Sequence, residues 1–217
     1  MIPLPREFYL VDALTLAKRL LGKVLVHRTA EGETAGIIVE TEAYMGPEDR
    51  AAHTWKGRRT PRTQVWYGPG GYAYVYFVYG MHCCFNVVAN YPDIPHAVLV
   101  RALDPIVGLD LMARRLGVTP HRRMCSGPAR LCKAMGIGLS HNGVDLCGSK
   151  LFIAELGAPT VGPEAIAAAP RVGIDYAGEA REYLWRFFLA DNPCVTRPPR
   201  STSAPGRSRH VLPEASR

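Results

Sequence analysis

Residues 36–53 read GIIVETEAYMGPEDRAAH, and the alternation at the start of this stretch decides how the chain is laid out. Ile37, Val39, Thr41 and Ala43 are predicted on one side of an extended strand, with Ile38, Glu40, Glu42 and Tyr44 on the other. Gly46-Pro47 stops the strand, and Glu48, Asp49 and His53 follow within one loop or short turn. Two carboxylates and a phenol on one strand face admit two readings. On a sheet edge, Glu40 and Glu42 are solvated, as charged strand residues mostly are, and His53 is a surface loop residue. In a site, a carboxylate at a strand end beside His and Tyr moves a proton or orients a water. The acid is concentrated here although the net charge is +7.

A second stretch, residues 70–86, GGYAYVYFVYGMHCCFN, weighs toward the site. It predicts a strand, a tight turn at Tyr79-Gly80-Met81 and a returning strand. Tyr72, Tyr74 and Tyr76 share one face; Ala73, Val75 and Phe77 share the other, and Tyr79 falls at the tip. The preceding loop, residues 54–71, carries Lys56, Arg58, Arg59 and Arg62. It is either a solvated, mobile loop or a set of phosphate contacts. A lone tip tyrosine is expected to fold back onto its sheet. Three tyrosines on the adjoining strand and a basic loop suit something else: a wedge inserted into a base stack, with platforms for an extruded base. The chemistry then falls to Glu42, with Tyr44 and His53 beside it.

The remaining elements are read around these two stretches. Asp12 is placed as the N-cap of a helix whose apolar stripe is Ala13, Leu16, Ala17, Leu20 and Leu21, ended by Gly22. Lys23–Arg28 alternates as a strand and, across a Glu31-Gly32 turn, forms a hairpin with the strand returning from Thr34. His96–Leu103 is an apolar strand interrupted by Arg101. Pro105 to Gly117 is predicted helical, with Ile106, Leu109, Met112 and Leu116 as its core side. Ser126 is placed as the cap of a helix with Pro128 in its first turn and Gly136 closing it. Residues 151–154 form a short strand, Pro163–Ala169 a short helix, and Val172–Ile174 and Tyr183–Ala190 late strands. From Arg197 the chain is polar, rich in Pro and Ser, and reads as disordered. The fold class is therefore α+β: one domain with a curved, mainly antiparallel sheet, a protruding β-hairpin and surrounding helices.

Composition excludes several classes. The chain has 217 residues, 47% hydrophobic and 21% charged, which is ordinary for a globular domain with a substantial core. No apolar run approaches the roughly 18–20 residues needed to span a bilayer. The N-terminus does not read as a signal peptide, so a soluble, intracellular protein is expected. None of the six cysteines forms a CxxC pair, which gives neither zinc spacing nor a disulfide framework. A metal held by His53, His82 and a cysteine has no spacing to recommend it. Nucleotide-cofactor fingerprints are missing. The tail, residues 198–217, holds Arg200, Arg207, Arg209 and Arg217 against Glu214 and takes up three of the seven net charges. What remains is consistent with a nucleic-acid partner.

VETEAYMGPEDRAAH, GGYAYVYFVYGMHCCFN, VLVRALDP and CSGPARLC, in this order, resemble the 3-methyladenine DNA glycosylases of the alkyladenine glycosylase type, over residues about 8–196. RVGIDYAGEAREYLWRFF is a weaker echo. The resemblance implies a domain over 1–197 that acts on damaged purines from the minor-groove side of duplex DNA, as a monomer, without a membrane and without metal or organic cofactor. Residues 198–217 lie outside it as a basic tail. In a bacterium the location implied is cytoplasm or nucleoid. The family's catalytic glutamate matches Glu42. Arg101 matches an arginine near the attacking water and the DNA backbone. Tyr44, His53 and Tyr76 match the walls of a base pocket, Ala51 a backbone donor to the base edge, and Asn86 a residue that crowds the guanine 2-amino group. Tyr79 matches the residue that fills the gap left by a flipped nucleotide, with Met81 beside it. His82 stands where a further aromatic is expected. No lysine stands beside Glu42 in the motif, so lyase chemistry is not expected. Two alternatives stay open on the residues alone: a non-catalytic nucleic-acid-binding module using the aromatic hairpin, and a small-molecule hydrolase with a Glu-His site.

Overall fold

The computed structural model describes residues 1–78, 80–157 and 161–196; Tyr79 and the tail fall outside the described residues. The helix α1 (Ala13–Leu20) starts at Asp12, whose Oδ1 accepts the Thr15 amide at 3.0 Å. Ala13, Leu16, Ala17 and Leu20 recur at helical spacing and are fully buried. Gly22, at φ +83°, turns the chain into β1 (Val24–Thr29), and β2 (Gly32–Tyr44) returns antiparallel to it. There follow β3 (Ala73–Val78), β4 (His82–Ala89), β5 (His96–Val107), α2 (Leu109–Leu116), α3 (Pro128–Met135), β6 (Leu151–Ala154), β7 (Ile166–Ala169) and β8 (Arg186–Leu189).

The strand order is β3-β4-β5-β2-β1-β6, with β8 joining β2 and β7 joining β8. Every described pairing is antiparallel, as anticipated. One face of the sheet supplies Ile38, Val75, Phe85, Val100 and Leu103 to the main core, against Leu16 of α1, Met112 of α2 and Leu131 of α3. Tyr74 and Tyr76 of β3 belong instead to an aromatic cluster on the other face, as the alternation predicted. No described helix is long and apolar enough to cross a membrane, and all six cysteines are free.

The long strand β2 is central. One edge pairs with β5 along its length. The other pairs with β1 as far as Ile37 and with β8 from Glu40 to Glu42. Where β1 gives way to β8, the ladder with β5 is irregular: Ile38 pairs with Leu103, Glu40 with Ala102 and Thr41 with Val100, passing over Val39 and Arg101. Such bulges re-aim side chains. The strict alternation expected for 37–44 is thereby broken. Ile38 lies in the main core with Ala43, whereas Ile37 and Val39 pack with Ala102 and Cys194. Neither carboxylate is a solvated edge residue; Glu40 and Glu42 are both 0% exposed.

Five other expectations are corrected. Pro105 and Ile106 continue β5 instead of opening a helix, which begins only at Leu109. Pro105 sits at a register shift, where its missing N–H costs no ladder bond. The cap of α3 is Gly127, at φ +111°; Ser126 instead donates its hydroxyl to the Cys194 carbonyl. In Pro163–Ala169 only Pro163–Ala165 turns, and Ile166–Ala169 pairs with β8, a tertiary pairing that overrides alanine's helical preference. Residues 172–174 form a bend and no strand, and within 183–190 only Arg186–Leu189 is strand.

Candidate active site

Glu42 lies near the C-terminal end of β2, and each of its oxygens is engaged. Oε2 accepts the Tyr44 hydroxyl at 2.8 Å. Oε1 accepts the Val172 amide at 2.8 Å and faces Arg101 Nη1 at 3.1 Å. Three of these partners, Tyr44, Arg101 and Val172, line a cavity of about 260 Å³. Tyr76 and Trp66 add aromatic rings to its lining. The carboxylate is withdrawn from bulk solvent, and donors from three directions fix its orientation.

The other walls come from the loop after β2 and from the β3–β4 hairpin. His53 sits with Nδ1 2.8 Å from the Tyr74 hydroxyl, and its ring is edge-on to Tyr76 at 4.6 Å. Tyr76 stacks on Tyr74 at 5.3 Å. Burial, helped by Arg62 and Arg58, lowers the His53 pKa to about 4, so the ring is neutral at pH 7. Burial likewise raises Tyr74 to about 12 and pushes Tyr76 and Tyr44 upward; for Tyr44 the neighbouring Glu42 charge adds to it. The aromatic walls are therefore neutral π surfaces. Asn86, buried opposite Tyr74, donates its amide to the Tyr74 carbonyl at 3.2 Å. Ala51 lines the cavity, but its amide is already bonded to Asp49 Oδ1 at 3.0 Å, and its carbonyl accepts the Tyr176 hydroxyl at 3.3 Å.

Asp49 itself does no chemistry that the geometry suggests. Arg171 grips it at 2.5 and 2.8 Å with both groups fully buried, and also donates to the Ala43 and Ala180 carbonyls. The guanidinium lies 4.8 Å from the Tyr44 ring and 4.9 Å from the Trp185 ring. This pair ties the loop carrying Ala51 and His53 to the segment whose next residue, Val172, meets Glu42.

The structure thus brings together Glu42, Tyr44, Ala51, His53, Tyr76, Asn86 and Arg101. Lys56, Arg58, Arg59 and Arg62 are exposed; Arg59 is engaged with Gln64 and with the Tyr67 ring. Met81 is 71% exposed at the hairpin end, away from any core. Tyr79 is outside the described residues. Sequence reasoning missed Trp66, Cys84, Leu99, Pro128, the 172–174 bend and Tyr176 as lining residues. Only the 171–188 echo of the family pattern hinted at the last two. Among the described residues, no three His, Cys, Asp or Glu side chains are grouped so as to hold a metal ion.

The model of the methylpurine-DNA glycosylases matches residues 7–193. The chain belongs to this family. Its curated relatives carry the name "Putative 3-methyladenine DNA glycosylase". One from Desulfitobacterium hafniense is 49% identical over 201 residues, covering 89% of this chain and 98% of the relative. One from Clostridium acetobutylicum is 48% identical, covering 88% and 96%. One from Bacillus licheniformis is 46% identical, covering 90% and 97%. As a methylpurine-DNA glycosylase the chain is a DNA-repair hydrolase of N-glycosyl bonds and acts on DNA. The resemblance drawn from the two long motifs is borne out across nearly the whole chain.

Proposed function

We propose that this glycosylase removes alkylated, 3-methyladenine-like purines from duplex DNA by flipping them into the cavity and hydrolysing the N-glycosidic bond with a water activated by Glu42. The observation that carries the reading is a fully buried carboxylate held by Tyr44, Arg101 and the Val172 amide, three groups that themselves line an aromatic cavity. Alkylation at N3 or N7 makes a purine cationic and a better leaving group. Neutral aromatic walls attract a cation by about 0.5–2 kcal/mol per ring, and a neutral His53 does not repel it. As the bond breaks, positive charge grows on the sugar, which a nearby carboxylate stabilises while it takes a proton from water. None of the residues lining the cavity is a lysine, which supports a monofunctional enzyme that leaves an abasic site.

In this reading the protein works as a monomer from the minor-groove side. Tyr79, with Met81, fills the stack after the nucleotide leaves; Lys56, Arg58, Arg59 and Arg62 contact phosphates; and 1–197 is the glycosylase domain. Deaminated purines such as hypoxanthine are a second substrate class that needs protonation on leaving. The test uses duplexes that are alkylated, hypoxanthine-containing or undamaged. Free base and abasic sites should come from the alkylated duplex. Glu42→Gln should bind the lesion while excision falls by about 10²-fold or more. Binding without any release by the wild-type protein would favour a binding module, and near-normal single-turnover excision by Glu42→Gln would remove Glu42 from its role.

A further inference from the structure

Glu40 is as buried as Glu42 and only two residues away, yet the chemistry above gives it no part. Its oxygens are fully occupied. Oε1 accepts Arg101 Nε at 3.0 Å, Arg186 Nη1 at 3.0 Å and Thr196 Oγ1 at 2.6 Å, and Oε2 accepts the Thr196 amide at 2.7 Å. These donors come from β5, β8 and the last described residue. Arg101 is consequently held at two points, Nε on Glu40 and Nη1 on Glu42. A planar guanidinium fixed through two nitrogens has one orientation, whereas one fixed through a single nitrogen swings about it. The paired irregularity at Val39 and Arg101 supports the arrangement, because it sets Glu40 and Arg101 on the side where Glu42 lies.

We propose that Glu40 is a positioning residue, which, backed by Arg186 and Thr196, orients Arg101 toward the Glu42 carboxylate and the cavity. The proposal rests on Glu42 being the base. The ionisable groups facing Glu42 are Tyr44 from β2, Tyr76 from β3, Cys84 from β4, Arg101 from β5, and Arg171 and Tyr176 from the segment after β7. Burial raises the three phenols, and raises the Cys84 thiol to about 11, so all stay neutral in acid. Arg171 is paired with Asp49.

Removing the Glu40 charge leaves Arg101 and Arg186 cationic near Glu42. Arg101 is then left with one carboxylate contact, at Nη1, and swings about it. In single-turnover excision from an alkylated duplex, Glu40→Gln should lower the plateau rate by about tenfold. It should leave lesion-duplex Kd within about threefold, so that the loss falls on the rate and not on binding. Glu40→Asp retains the charge but withdraws it from Arg101, and the plateau should fall there too, again with Kd little changed. A wild-type plateau in either variant overturns the proposal. So do parallel losses of rate, Tm and DNA affinity in Glu40→Gln, the pattern of a purely structural role. If Glu40→Gln fails to fold, Glu40→Asp decides alone. Glu42→Gln, run alongside, separates the two readings: full activity there sinks the Glu42 assignment, whereas an inactive Glu42→Gln beside a normal Glu40→Gln sinks only this one.

Discussion

Individual side chains divide into those whose neighbours in sequence reveal them and those whose partners are distant. Glu42, Tyr44 and His53 share one long motif, and Tyr76 and Asn86 another, so their grouping was legible. Asp49 was not. In the sequence it is only one of the acids in the loop before His53, and its partner 122 residues away makes it one half of a buried ion pair. Arg171→Leu should therefore cost about 3–5 kcal/mol by leaving Asp49 buried and unpaired. Asp49→Asn/Arg171→Leu should recover part of that; urea midpoints for the two variants check it. His53 makes a different prediction. Its folded pKa, about 4, lies below the ordinary 6.5, so the unfolded chain binds the extra proton between these values. The stability contributed is complete above about pH 6.5 and is lost as pH falls through about 4, worth at most about 3 kcal/mol. His53→Gln should flatten the dependence of the urea midpoint on pH across this window.

At the scale of elements, β1, β2 and the β3–β4 hairpin were readable because alternation and turn residues repeat within each. Misreadings occurred where a partner strand decides the conformation: β5 runs on through Pro105, and Ile166–Ala169 becomes a strand by pairing with β8. The bulge in β2 also left no mark in the pattern, since every residue from 38 to 43 is buried whichever way it points. The hairpin supports a prediction for Tyr79. Val78 pairs with His82, so the connection is three residues, with Met81 projecting into solvent. If Tyr79 substitutes for an extruded nucleotide, Tyr79→Ser should weaken binding to an abasic or lesion duplex by part of the few kcal/mol that unstacking costs. It should matter much less when the lesion lies opposite a gap. Melting temperature and excision on the two substrates are the measurements. A destabilised variant with equal losses on both would place the ring against its own sheet instead.

For the whole molecule, the fold class was legible from an early hairpin and a later one, but the closing contacts were not. The family match stops at 193, yet Thr196 bonds Glu40 through both its amide and its hydroxyl. Truncation after 197 should leave single-turnover excision at saturating enzyme intact, with a shallower salt dependence of binding. The slope falls by about 0.9 for each phosphate contact the tail had made. Truncation after 193 should lower both Tm and excision, because Glu40 then loses two of its four donors. Equal behaviour of the two truncations would show that the Thr196 contacts are dispensable.

That Thr196 contact also bears on how the enzyme comes into being. Glu40 and Thr196 are 156 residues apart, so the bonds between them form only after residue 196 has been made. A ribosome-bound chain can assemble the β1–β2 hairpin early, but its two glutamates stay open to water until β8 and the following turn emerge. Pairings of such long span are late events in folding. Base-excising capacity should accordingly appear only once residue 196 has emerged and not grow gradually with chain length. A translation product interrupted before that residue carries Glu42 and Arg101 yet should make no abasic sites in the DNA it touches.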